Sequence, residues 1–166
     1  MSSPALAGAT VQLLPTRTET TPYPAARCLE AAPSYAALDT GVPGALVVDG
    51  ARTATLCRYD VAATAASTPA AWQLTRTVTF DGDVRQIVDA ANALPTREQL
   101  VYEPACNLMS PPRFRLALGY HGGAQHVIDI VLECGTASRG DIVRYGGDDL
   151  MHLIRSFGPE LLAPTR

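Results

Sequence analysis

Apolar and polar residues alternate most regularly over residues 72–80, where Trp72, Leu74, Arg76, Val78 and Phe80 fall on one side of an extended chain. Only Arg76 interrupts that side, so the segment reads as a half-buried strand. Upstream, Ala45-Leu46-Val47-Val48 runs into Asp49-Gly50 and is followed by the β-prone residues 53–59. Asp-Gly between two such runs is a hairpin signal, because a tight turn there needs positive φ at its centre. A different period starts after Phe80. Val84, Ile87, Val88, Ala91 and Leu94 recur at helical spacing, with Asp81 or Asp83 placed to cap the helix and Pro95 to stop it. Residues 98–102 read as a short strand, and residues 114–120 as another. A turn over His121-Gly122-Gly123-Ala124 then leads into residues 125–134, dense enough in Val, Ile and Leu for a central strand. A last helix over residues 148–157 places Leu150, Leu153, Ile154 and Phe157 on one face, and Gly158-Pro159 ends it.

Successive hairpins with appended helices predict an α+β fold. It is expected to be an antiparallel sheet of about five to six strands with two helices on one face, stabilised by two disulfides. The division along the chain follows from composition. Residues 1–43 hold six prolines and the run Thr16-Arg17-Thr18-Glu19-Thr20-Thr21, which suits an extended arm and not a helix or a central strand. Residues 44–158 form the single domain and residues 159–166 a tail. In a cell-envelope protein a Thr/Pro-rich arm serves as a spacer, one use open to this one.

Charge narrows the partners. The 166 residues are 47% hydrophobic but only 17% charged, with a net charge of −3, which argues against nucleic acid as a partner because a basic footprint is missing. No window reaches the roughly 18 to 20 apolar residues of a membrane-spanning helix. All 13 basic residues are Arg. With Ala abundant, this suits a GC-rich coding sequence, and codon bias accounts for it more simply than any need for guanidinium groups.

Cys28, Cys57, Cys106 and Cys134 are spaced by 29, 49 and 28 positions, without a CxxC, so no zinc pattern is present. An even count without metal spacing points to two disulfides and an oxidising compartment. Three connectivities exist, and the sequential one, Cys28 with Cys57 and Cys106 with Cys134, is favoured. Four buried thiols in a cytosolic chain are the alternative. Met1 to Leu14 has neither a basic start nor a sustained apolar run. Secretion, or display at the cell surface as a lipoprotein, therefore requires that the signal segment be absent from this chain, and that is the expectation.

Few residues invite chemistry. His121, His126 and His152 could share a zinc ion only if the fold brought them together, and nothing in their spacing enforces it. Asp148-Asp149 after two glycines, and Asp81-Gly82-Asp83, read as helix caps before they read as cation sites. GxSxG, HExxH, P-loop and GxGxxG motifs are all missing, and the serines lie away from any histidine. No catalytic residue, metal or cofactor is therefore assigned. The stretch from Cys106 to Arg113 carries more promise, because two prolines and a disulfide would hold it ready for a partner. Asn107, Leu108, Met109 and Arg113 are its candidate contact residues; a plain crossover into the next strand is the alternative.

Several of these pieces occur together elsewhere. Leu56-Cys57-Arg58-Tyr59 follows a β-run, Ala91-Asn92-Ala93-Leu94-Pro95 closes a helix, and Glu133-Cys134-Gly135 ends a Val/Ile-rich strand before a Leu-rich terminal helix. Over about residues 45–157 the chain resembles a broad group of actinobacterial secreted proteins and lipoproteins of uncharacterised function. Ala-Asn-Ala-Leu replaces the group's usual Leu-Asn, and Cys106-Asn107 its common Cys-Pro. The resemblance implies an extracytoplasmic place and paired cysteines, and transfers no catalytic residue. A fainter resemblance is to the Streptomyces subtilisin inhibitors, in which a Cys-bearing reactive loop follows a helix; residues 102–109 would be its analogue. The expected function is a non-enzymatic extracytoplasmic domain that binds a protein or cell-envelope partner. The alternative is a protease inhibitor acting through the Cys106–Arg113 loop.

Overall fold

The computed structural model describes residues 25–32, 39–61, 72–80, 83–102, 105–106 and 112–157. Most of the expected N-terminal arm, the loop over 62–71 and the tail over 159–166 lie outside the described residues. Six strands form one antiparallel sheet: β1 (Ala51–Val61), β2 (Trp72–Phe80), β3 (Arg113–Tyr120), β4 (Gln125–Val131), β5 (Thr136–Arg139) and β6 (Ile142–Tyr145). Their spatial order is β2-β1-β3-β4-β5-β6. The chain leaves β2 at one edge, passes through helix α1 (Val84–Asn92) and re-enters the sheet as β3 on the far side of β1. A second helix, α2 (Gly147–Phe157), follows β6.

Alternation along the strands makes two unequal layers. On the helix side, Ala54, Leu56, Phe114, Leu116, Leu118, Ile128 and Ile130 meet Val84, Ile87, Val88 and Ala91 of α1 and Leu150 and Leu153 of α2. Asp83 caps α1, its Oδ1 accepting the Arg85 N–H at 3.0 Å. On the other side a smaller cluster contains Cys57, Tyr59 and Ala117 with Trp72, Leu74 and Val127. Residues 25–32 lie over it. Cys28 is bonded to Cys57, the Tyr59 hydroxyl donates to the Leu29 carbonyl at 2.6 Å, and the Gln125 side chain both accepts from the Arg27 N–H and donates to its carbonyl.

Three sequence expectations are corrected. Residues 45–48 are not a strand: Leu46 and Val47 are fully buried in an irregular segment. Its ladder partner is a side chain. Asn92 Oδ1 accepts the Val47 N–H at 2.8 Å and Asn92 Nδ2 donates to the Val47 carbonyl at 3.0 Å, so the amide at the end of α1 stands in for a neighbouring strand. Residues 98–102 are not a strand either; a 3₁₀ turn over Arg97–Gln99 precedes irregular chain. Finally, the apolar residues of β2 do not share one face. The register skips Thr75, pairing Arg58 with Arg76 but Tyr59 with Leu74. A one-residue bulge of this kind inverts the facing of everything beyond it. Val78 and Phe80 therefore pack on the helix side while Trp72 and Leu74 pack under residues 25–32.

Candidate functional site

The loop between α1 and β3 is fixed at three points. At its start the Pro95 carbonyl accepts the Tyr145 N–H at 2.8 Å, tying the end of the helix region to the outer side of β6. The Thr96 N–H is donated to Gln99 Oε1 at 2.8 Å, which closes the 3₁₀ turn. Midway, Cys106 is bonded to Cys134, which follows β4. At the loop's end Arg113 opens β3 opposite Tyr59, only 8% exposed, with its guanidinium carbon 4.3 Å from the centroid of the Trp72 ring. The Cys28–Cys57 and Cys106–Cys134 pairing is the sequential one, and no cysteine is left unpaired.

Between the first and second fixed points stand Val101 and Tyr102, 96% and 80% exposed. They are the most exposed large hydrophobic side chains among the described residues. Sequence reasoning had placed both in a strand. The usable signal was an apolar pair in a segment bounded by Pro95 and Cys106, without the alternation a half-buried strand requires. Of the residues singled out from sequence, Arg113 is a buried foundation of the loop; Asn107, Leu108 and Met109 lie outside the described residues.

The histidines occupy three different settings. His121 is exposed in the turn between β3 and β4, and His152 is exposed on α2. His126 is half-buried on β4 with its ring 4.7 Å from that of Tyr120. Among the described residues no three His, Cys, Asp or Glu side chains converge to hold a metal ion. Among the described residues, Asp39 is the acid with an altered titration. The Gly41 N–H given to its Oδ1, then the Tyr145 hydroxyl and the charges of Arg97 and Arg144, hold its carboxyl below the ordinary value against the opposing effect of burial.

No family model matches the chain, and no curated protein or solved structure matches it. Its chemistry has to be read from its own surface. One further feature stands out there: a groove of about 410 Å³ between α1, α2 and the end of β2, floored by Phe80, Ile87, Leu94 and Leu153. No helix among the described residues is long and apolar enough to cross a membrane.

Proposed function

We propose that this is an extracytoplasmic, non-enzymatic binding domain that meets a protein or cell-envelope partner through the loop between α1 and β3. The exposure of Val101 and Tyr102 beside the Cys106–Cys134 bridge carries the reading. An exposed aromatic on a loop held at both ends is a suitable anchor, because little conformational freedom remains to be lost on docking. Arg113, buried against Trp72, supports the loop from beneath. Two disulfides without a remaining thiol suit an oxidising compartment, and the resemblance to actinobacterial secreted proteins and lipoproteins agrees with it. The test is retention of cell-envelope components by immobilised protein. A Val101→Ser, Tyr102→Ser variant is expected to lose at least tenfold of a saturable retention that Arg85→Ala, at the start of α1, keeps. Equal retention by both variants overturns the loop assignment, and robust turnover in a hydrolase panel overturns the non-enzymatic reading.

A second reading is favoured by the position of Tyr102, four residues ahead of a bridge that ties the loop to the end of β4. A substrate-like protease inhibitor needs such a side chain on such a support. Titration against subtilisin-like and trypsin-like proteases decides it: stoichiometric inhibition supports it and no inhibition at micromolar protein ends it.

A further inference from the structure

We infer that the groove between α1 and α2 is a second binding site, for a single elongated apolar chain with a cationic head. Its size lies within the range of ligand pockets, and at ~30 Å³ per water-sized group it holds about a dozen such groups. Ile87, Leu94 and Leu153 are almost completely buried in its floor, so they need no ligand for their own sake. The walls are the unusual part. Ala90 and Ala93 take outward positions of α1 where a longer polar side chain would close the trough. From Gln86 to the capping Ala93 the groove follows seven residue steps along α1, about 10 Å. A run of that length suits a narrow chain laid along the helix.

The two ends differ. Gly146 abuts Leu94 so closely that an added Cβ would lie 2.9 Å from Leu94 Cδ2, which brings the start of α2 against the end of α1. Asp149 stands at this end, the one carboxylate among the described lining residues, which include one histidine, His152, and no arginine. The last turn of α1 carries no basic residue to offset its carbonyl end. The Asp149 carboxylate and the carbonyl end of α1 favour positive charge there, against the opposing amide end of α2. Among the described residues, His152 lines the groove between Asp149 and Ser156 on α2, and the opposite end has the neutral groups of Gln86 and Ser156, whose hydroxyl already donates to the Leu153 carbonyl at 2.7 Å. A cationic head beside Asp149 pairs with that carboxylate while its tail lies over Ile87 and Leu153.

The probes are n-decylamine, n-decanol and n-decanoate, titrated calorimetrically into the full disulfide-bonded chain. The amine is expected to bind saturably at one site and about fivefold more tightly than decanoate, the range of an exposed charge pair. Asp149→Asn should remove that preference while retaining binding. Ala90→Phe, at an exposed position that tolerates bulk, should abolish binding of all three. Val101→Ser, Tyr102→Ser should change nothing, which keeps this site separate from the loop. No saturable amine binding, equal affinity for amine and carboxylate, or binding unaffected by Ala90→Phe each overturns the proposal.

Discussion

The Arg115–Asp129 pair offers the sharpest test of how residues 25–32 are held on the sheet. Arg115 is 8% exposed, on β3, and reaches across to Asp129 of β4 with Nε to Oδ1 at 2.6 Å and Nη2 to Oδ2 at 3.2 Å. Its remaining nitrogen, Nη1, donates to the Ala31 carbonyl at 2.9 Å. Asp129→Ala removes both carboxylate bonds and leaves the guanidinium buried with neutral partners alone, the Ala31 carbonyl and the Tyr59 hydroxyl. Breaking a buried pair from one side costs about 3–5 kcal/mol. The Asp129 side chain is 30% exposed, so water can take up part of the vacated space, and the expected loss is about 2–3 kcal/mol. Replacing both, as Arg115→Met with Asp129→Leu, removes the stranded charge as well; the double variant should lie within about 1.5 kcal/mol of wild type. Urea unfolding of the oxidised protein, read by tryptophan fluorescence from Trp72, measures all three. An Asp129→Ala variant within 0.5 kcal/mol of wild type, on the order of a surface substitution, would refute the argument, as would a double variant no better than the single one.

Three further outcomes follow from the same geometry. Replacing Cys28 and Cys57 together by Ala opens a loop closed over 29 positions, worth about 3.6 kcal/mol in the chain-entropy account; the fall in urea midpoint should come with new protease cleavage within residues 25–32. Asn92→Ala deletes both bonds to Val47 and should cost about 1–3 kcal/mol despite the better helix propensity of Ala, seen as a lowered urea midpoint; no loss would mean that Leu46 and Val47 hold the segment unaided. For Asp39, a folded pKa below the unfolded one means that its contribution is complete above about pH 4 and is lost as pH falls through the folded value. Acid titration of stability should therefore be shallower below pH 4 in Asp39→Asn than in wild type, and parallel curves would remove Asp39 as a contributor.

Where a period is written in side chains, the sequence was readable. Asp83, Val84, Ile87, Val88 and Ala91 specify the cap and the inner face of α1, and the half-buried alternation of β2 is present at every position. The bulge at Thr75 was not readable, since polar residues continue to alternate through it while the facing of Trp72 and Leu74 is inverted relative to Val78 and Phe80. Residues 45–48 misled for a related reason. An apolar run followed by Asp-Gly states that the chain is buried and then turns, but not what satisfies its amides, and here the partner is the side chain of Asn92, 45 residues away. The β5–β6 hairpin went unseen because each strand is only four residues long, too short for a period to register. At the candidate site the disulfides were legible from spacing, whereas for Val101 and Tyr102 the missing alternation argued only against a strand, and their exposure depends on where Pro95 and Cys106 are anchored.

The arginines join these observations. Codon bias is enough to explain a chain with 13 Arg and no Lys, yet the fold uses guanidinium geometry where irregular chain meets the sheet. Arg115 donates to the Ala31 carbonyl, Arg139 to the carbonyls of Leu46 and Ala45 at 2.7 and 2.9 Å, and Arg144 to the carbonyls of Val143 and Gly44. Each reaches a segment with no strand beside it, and several do so from a strand while bonded to a second acceptor. A planar fork can serve two acceptors in different directions at once; an ammonium on a flexible stem would have to order itself anew for each. Guanidinium bonds and two disulfides thus tie the irregular segments and the sheet into one body. The loop carrying Val101 and Tyr102 issues from that body at points held by Pro95, Cys106 and Arg113. In the proposed binding role, the loop takes its order from those three points.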